Sequence, residues 1–496
     1  MQKVYSCQQA SKLEKTAKET FAVPPFLMME NAARAMAEEI TNQYSINDTV
    51  LIICGKGNNG GDGYALARLL QDWLKVIVIS LEAPAAQEAK AQYEMSRRLG
   101  IDFADISQLE RICRGLTSQD CIVDCIYGTG FHGQLSSDIK KYIDIMNKCP
   151  ARKLACDIPS ALEFKADTTI TMGCQKLPLY SDKAKAVSGK IIVADLGIAR
   201  EKFEGCGDTD IYLIESDDRQ LPLRKNRGFH KGRFGHTAVL CGDKPGAAIL
   251  AASSAMAFGS GLTSLITNQD ASPDSTPLSQ FKISPALMIS DSIPKKSSCI
   301  LMGSGFSEFS KKSSDLLLNW CKEADSPAAV LDAGALTSPE SPVFLKALND
   351  FENARIVLTP HLYELSRLLE ACKESSLAQG DFSEDFSVNE LAENPEARIA
   401  AGKYLNSLFP KTTVIMKSAN TFIASEGQIF VITDGGQSLA KGGSGDILAG
   451  LTASLLAQGY TARDAAITAA EHHAVISKEL GREAYNLTPE KLIDAL

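Results

Sequence analysis

From Val50 to Ile214, short runs that are apolar at nearly every position alternate with stretches whose apolar residues recur every three or four positions. A strand that is apolar on both faces belongs in a parallel sheet covered by helices on each side, whereas a half-exposed strand alternates. The runs VLIIC (50–54), KVIVIS (75–80), CIVDCI (121–126), KLACDI (153–158) and KIIVADL (190–196) therefore predict parallel strands, and Gln9 to Thr20 and Met29 to Thr41 predict two helices ahead of them. A second series follows from Thr237: TAVLC, GLTSLIT (261–267), CILMG (299–303), AAVLD (328–332), ARIVLTP (354–360) and TTVIMK (412–417), read as another parallel sheet. Between the two lies IESDDRQLPLRKNRGFHKGRFG, polar and rich in turn formers, which places a junction near residue 220. The chain is thus expected to form two three-layer αβα domains of class α/β, residues 1–220 and 221–496. Polar, Pro- and Ser-rich segments at 268–298 and 371–395 read as surface excursions of the second.

A length of 496 residues agrees with two to three folding units at roughly 150 residues each. Lys plus Arg is 51 against 60 for Asp plus Glu, a net charge of −9. That sign argues against general nucleic-acid binding, which depends on clustered cations. The N-terminal twenty residues lack the apolar core of a secretory signal. The longest nearly uncharged stretch, Ala247 to Asn268, is too rich in Ala, Ser and Gly to span a bilayer and reads as a buried helix and strand. Thirteen cysteines without CxxC pairs fit a reducing compartment. The expectation is a cytoplasmic protein with no membrane partner.

The loop Gly55-Lys56-Gly57-Asn58-Asn59-Gly60-Gly61-Asp62-Gly63 joins the strand VLIIC to an amphipathic helix. Strand, glycine loop and helix form an anion-binding arrangement, because backbone N–H groups approach a phosphate at a helix N-terminus. Residues 55–60 satisfy G-x-G-x-x-G, with Glu82 about twenty residues beyond Asp62, so a dehydrogenase reading stands beside it. The oxygens of Asn58, Asn59 and Asp62 exceed what that fingerprint needs and suit a cation or a hydroxyl-rich ligand. Asp124 ends another strand ahead of the flexible loop Gly128-Thr129-Gly130-Phe131-His132-Gly133-Gln134, and Asp157 and Ser160 follow a third. A lone Asp there often caps a helix; three such loops on one rim form a crevice.

These residues, GKGNNGGDGYALAR, the Asp124 to Gln134 segment and CDIPS, resemble the NAD(P)HX epimerases, which interconvert R and S epimers of hydrated NADH or NADPH and use potassium. The resemblance covers roughly residues 1–215 and implies a Rossmann-like domain. It implies that Asn58, Asn59, Gly60, Gly61, Asp62, Gly128, Thr129, Gly130, Phe131, His132, Gly133, Gln134 and Asp157 contact the hydrate, and that Asn59, Asp124 and Ser160 hold K+. Asp157 is then the acid/base candidate, with a pKa raised toward working pH by burial. Lys176 either polarises the substrate or is a solvated surface lysine. The family's IPSGL-type turn reads IPSAL, with Ala161 where Gly is usual.

In the second half, Lys441-Gly442-Gly443-Ser444-Gly445-Asp446 opens an apolar helix, so consecutive N–H groups form an anion hole at its positive end. Asp446 either complements the dipole or acts as base toward a hydroxyl during phosphoryl transfer. There is no GxxxxGK[ST], which excludes a P-loop enzyme. The stretch resembles the ribokinase-like fold, and together with GFHKGRFGHTAVLCGDKPGAAILAA, MGSGF, VLDAGAL, LTPHLYELSRLL and MKSANTFIA it resembles the ADP-dependent NAD(P)HX dehydratases over about 222–496. That implies Ala247, Gly305, His361 and Asp446 on the hydrate, and Lys417, Ser418, Ala419, Asn420, Thr421 and Gly445 on the adenine nucleotide, with Mg2+ accompanying ADP. His361 reads equally as a helix cap. The nucleotide loop has Ser418 where Gly is usual, and GDKPGAA is short. Adjacent His472 and His473 cannot share a helix face and read as structural. Arg224, Lys225, Arg227, Lys231 and Arg233 read as a solvated linker or a phosphate contact.

Together the two resemblances imply an NAD(P)H-hydrate repair enzyme, both isomerase and lyase, with NADHX or NADPHX and ADP as small-molecule partners, in a homo-oligomer. A ribokinase-like small-molecule kinase with an accessory dinucleotide domain, or a non-catalytic dinucleotide sensor, are the alternatives.

Overall fold

The computed structural model describes all residues except 45–47, 132, 268–276, 378–385 and 482. The chain divides into two compact units, Lys3–Thr209 and Met1–Gln2 with Asp210–Leu496. The division falls after Thr209, earlier than the junction read near residue 220, because Ile211–Leu213 forms a strand that extends the second sheet beside Gln428–Ile432.

In the first unit seven of the described strands form a parallel sheet, and Gln2–Tyr5 pairs separately with Gln175–Lys176. The sheet order is Asp102–Phe103, Lys75–Ser80, Thr49–Cys54, Cys121–Cys125, Arg152–Cys156, Thr168–Met172 and Lys190–Ala194. Alternate residues of Thr49–Cys54 enter different cores: Val50, Ile52 and Cys54 meet the helices Cys7–Phe21, Pro25–Thr41 and Asn58–Leu70, while Leu51 and Ile53 meet Leu109–Gly115 and Ser137–Lys148. Burial on both faces is why the strand reads as an unbroken apolar run. The strand Thr168–Met172 was not expected: TTITM is threonine-rich, yet Thr169 and Thr171 are fully buried.

The second sheet runs Met288–Ser290, Leu262–Ile266, His236–Leu240, Cys299–Met302, Ala328–Leu331, Arg355–Leu358, Thr412–Met416, Thr421–Ser425, Gln428–Ile432 and Ile211–Leu213. It is mixed rather than all parallel, because Thr412–Met416, Thr421–Ser425 and Gln428–Ile432 form an antiparallel meander. Again alternate residues divide: Val239, Leu301, Val330 and Val357 pack under the helices Pro245–Ala257, Ser444–Ala457 and Ala462–Glu479, and their neighbours are buried on the opposite face. The stretch read as a buried helix and strand is Pro245–Ala257 followed by Leu262–Ile266. Of the two expected excursions, 268–276 and 378–385 lie outside the described residues; the remainder includes the strand Met288–Ser290 and the helix Val388–Glu393.

Among the described residues no cysteine is disulfide-bonded and no helix is long and apolar enough to cross a membrane.

Candidate functional site

Strand order reverses between Thr49–Cys54 and Cys121–Cys125 in the first sheet, and ligands of open α/β sheets sit outside the carboxyl ends of strands at such a point. The loops leaving these two strands border a cavity of about 680 Å³. Asn58, Asn59, Asp62, Gly128, Thr129, Gly130, Phe131 and Asp157 line it, together with Lys56, Tyr127 and Lys176. Asn58–Leu70 begins at Gly57, so its first N–H groups lie at the cavity without helical acceptors.

Asp157 sits in the left-handed region (φ 70°), a strained conformation for aspartate that is held by its bonds. Oδ2 accepts from the Thr129 amide at 3.0 Å, and Oδ1 accepts from the Lys176 ammonium, which also donates to the Met172 carbonyl at 3.0 Å. Lys176 is no surface residue: its side chain is 1% exposed, and its backbone pairs with the strand Gln2–Tyr5. Burial opposes the Asp157 charge, but the adjacent Lys176 ammonium and the amide bonds outweigh it and hold the carboxyl below its usual range. The expectation of a raised pKa is thereby corrected. Burial opposes the Lys176 charge too, and Asp157 more than restores it. A Cβ on Gly128 would stand 2.7 Å from Asp157 Oδ2 and 3.2 Å from Asn59 Oδ1, so only glycine admits these two oxygens here.

Asp124 lies behind this wall, fully buried. Its oxygens accept from the Ser160 amide (2.8 Å) and hydroxyl (2.7 Å) and the Ile126 amide (3.1 Å). Among the described residues no ammonium or guanidinium pairs with it, and burial lifts its pKa to about 6 against those three bonds. The Asn59 amide nitrogen is likewise buried without a partner. A buried carboxylate lacking a counter-ion beside a hydroxyl fits a hard monovalent cation. Next to Ser160, Ala161 adopts φ 53° and ψ 20°, a conformation glycine takes without cost.

The remaining loop residues separate. Gly60 and Gly61 are buried off the cavity: a Cβ on Gly60 would stand 1.9 Å from the Gly55 carbonyl oxygen, so that glycine of the fingerprint serves turn packing. Glu82, the fingerprint's acid, pairs with Lys56 at the surface (3.1 Å). Gly133 and Gln134 are exposed outside the lining, and His132 lies outside the described residues. Several lining groups escaped sequence reading, among them Ser11, Glu88 and Glu14. The signal for Glu14 was present: on Cys7–Phe21 it shares a face with buried Ala10 and Ala17.

The second sheet reverses between His236–Leu240 and Cys299–Met302. The loops after these strands bring Ala247 and Gly305 together, a Cβ on Gly305 falling 3.2 Å from that of Ala247. Ser304 follows Cys299–Met302 too, and Asp332, His361 and Lys417 follow other strands of the same rim. Lys417 donates to Asp332 Oδ1 at 3.1 Å, Thr359 to the same oxygen at 2.7 Å, and Ser304 to Oδ2 at 3.2 Å. Asp446, in the first turn of Ser444–Ala457, is pushed up to about 6, first by burial and then by Asp332, with Ser304 and Lys417 opposing. Glu364 is pushed up to about 7 by burial, against Lys417. Gly445 adjoins this group, its Cβ position 3.2 Å from Lys417 Nζ.

His361 does cap Leu362–Glu374: Nδ1 accepts from the Glu364 amide, and Glu364 accepts from the His361 amide (2.9 Å). Half the imidazole remains exposed beside the rim. Of the proposed nucleotide residues, Lys417 faces the carboxylates, Ala419 is exposed, Asn420 is buried with its carbonyl held by Arg398, and Thr421 opens a strand; Ser418 is half-buried. His473 is buried, with Nε2 3.2 Å from the Ser444 hydroxyl, and His472 stacks on Phe258; burial keeps both neutral, near 4. The basic run is exposed, Arg224 and Arg233 lying over Phe234 and Phe229.

Residues 237–496 match the family described as NAD(P)H-hydrate dehydratase, and residues 26–177 match the YjeF-related protein N-terminus. The Helicobacter pylori protein called bifunctional NAD(P)H-hydrate repair enzyme Nnr is 34% identical, over 99% of this chain and 98% of its own. That of Coxiella burnetii is 30% identical, over 97% and 95%. Among solved structures, the ADP/ATP-dependent NAD(P)H-hydrate dehydratase of Bacillus subtilis, co-crystallised with ATP and Mg2+, is 24% identical with a TM-score of 0.45, covering 58% of this chain and 97% of its own. With both halves matched by family models and relatives 30% and 34% identical along nearly their whole length, the chain belongs to the family of bifunctional NAD(P)H-hydrate repair enzymes.

Proposed function

We propose that the two rims divide the repair of hydrated NADH and NADPH between them. The first, within residues 1–220, interconverts the R and S epimers; the second, within 221–496, dehydrates the S epimer at the expense of ADP. A stereospecific dehydratase alone would strand one epimer, which is the chemical reason for joining the two.

In the first site the N–H groups opening Asn58–Leu70 take the pyrophosphate, and the loop from Gly128 closes over the ring. Asp157, kept ionised by Lys176, accepts a proton from the hydrate, and Lys176 stabilises negative charge growing on the substrate oxygen. Potassium bound by Asn59, Asp124 and Ser160 would supply positive charge beneath the ligand.

In the second site Asp446 takes the proton of the hydrate's hydroxyl, whose oxygen then bonds the terminal phosphorus of the nucleotide as the bridging P–O bond breaks. Departure of phosphate with loss of a ring proton restores the dihydropyridine, phosphate being a better leaving group than hydroxide. The amides of 443–446 and Lys417 face the charge developing on the transferred group. Ala247, Gly305 and His361 hold the hydrate, and residues 417–421 with Gly445 hold the adenine nucleotide. Among the described residues no cluster of three acidic, histidine or cysteine side chains could hold a metal, so Mg2+ would arrive on the nucleotide phosphates and supply neutralisation there. The reading places the enzyme in the cytoplasm as a homo-oligomer.

The observation that carries the proposal is the recurrence of an aspartate–lysine pair at the switch-point rim of each sheet. Racemic NADHX with ADP and Mg2+ tests it: absorbance of reduced nicotinamide should recover past half the input, faster than spontaneous epimerisation allows. Recovery that stalls at half would remove the epimerase, and no recovery would remove the dehydratase.

A further inference from the structure

The first cavity holds a carboxyl group that the chemistry above does not use. Glu14 lines the cavity wall that also carries Asp157 and Lys176. On Cys7–Phe21 it shares a face with buried Ala10 and Ala17 and is itself half-buried. Among the described residues it accepts no hydrogen bond and makes no close ion pair. Burial lifts its pKa; Lys176 opposes and Asp157 adds to the rise. The other charged groups lining the same cavity are Lys56, Asp62 and Glu88, of which Asp62 is also lifted, by burial and then by Asp157 and Glu14. The cavity thus sets a carboxylate whose ionised form a cation favours beside two carboxyls, Glu14 and Asp62, whose protonated form burial favours, the division that separates base from acid.

Epimerisation of a hydrate calls for both. Adding water across the enamine bond of a dihydropyridine puts the hydroxyl on the carbon beside the ring nitrogen, and such a carbinolamine inverts by opening and reclosing. The O–H proton leaves, the C–O bond becomes a carbonyl, and the C–N bond breaks with its electron pair passing to nitrogen, which takes up a proton. Rotation about the neighbouring C–C bond and the reverse steps close the ring on the other face. We propose that Glu14 is the catalytic acid of this step, protonating the ring nitrogen as Asp157 receives the hydroxyl proton. On reclosure Glu14 recovers its proton from nitrogen and Asp157 returns the other to oxygen, so nothing is consumed. The inference rests on the epimerase reading of this cavity.

The test uses the full-length protein and one purified epimer of NADHX, with the spontaneous rate subtracted. Glu14→Gln should lower kcat for epimerisation by about 10²–10³-fold with KM within a few-fold, and ADP-dependent dehydration, measured on the same sample, should be unchanged. Glu14→Asp should recover part of the rate. Because the acid must be protonated, the unaltered enzyme should lose rate as pH rises past the raised pKa of Glu14, and Glu14→Gln should lack that alkaline limb. A Glu14→Gln protein with undiminished kcat, or with reduced kcat and the alkaline limb intact, overturns the inference while leaving the epimerase reading standing. An unaltered protein that does not interconvert the epimers overturns both.

Discussion

At the rim of the first sheet the lysine bonds the aspartate that faces the cavity; at the rim of the second it bonds Asp332 and leaves Asp446 to its burial. The same two residue types consequently accompany shifts in opposite directions. Asp157 is held ionised well into acid, and Asp446 titrates near 6. Exposure sharpens the contrast: the Lys176 side chain is 1% exposed and that of Lys417 19%. Burial raises both acids; what separates them is whether the cation touches the acid itself.

The widest expected effect removes the acid of the second pair. Asp446→Asn should reduce dehydration by about 10³–10⁴-fold while nucleotide affinity, measured by calorimetry, changes by no more than a few-fold. Unchanged turnover would assign the proton to another group, and Glu364, near 7, would be next in line.

Removing the cations probes the comparison directly. Lys176→Met leaves Asp157 buried and unpaired, which should cost about 3–5 kcal/mol in urea unfolding; Lys417→Met, at a wetter site, should cost clearly less. Equal losses would show that solvent access does not distinguish the pairs. Gly128→Ala drives a methyl against Asp157 Oδ2 and should slow epimerisation by about 10–100-fold with dehydration intact. The smallest effect is expected at Ala161, whose left-handed conformation Ala161→Gly relieves, raising stability by about 0.5 kcal/mol after the entropic cost of glycine. A destabilised glycine variant would mean that the alanine methyl contributes packing that outweighs the strain.

Sequence showed the layers of both units because fully buried parallel strands leave unbroken apolar runs. It missed Thr168–Met172, where buried threonines imitate a polar segment, and the strands Thr421–Ser425 and Gln428–Ile432, the first of which begins in the segment read as a nucleotide loop. The motifs gave the rim positions of Asn59, Asp124, Asp157 and Asp446. They did not give electrostatics: whether Lys176 is solvated depends on its pairing with the N-terminal strand, a contact between residues far apart in sequence. Glu14 was legible only as an acid on an apolar helix face, and motif reading passed over it.

The contrast in charge state is tested most directly by following both activities of one preparation from pH 8 downward. An acting base must be deprotonated, so dehydration should decline as pH falls through about 6, where Asp446 takes up its proton. Epimerisation, corrected for the spontaneous rate, should not decline through that range, because Lys176 keeps Asp157 ionised while Glu14 gains its proton. Two activities declining together with one midpoint would contradict the account.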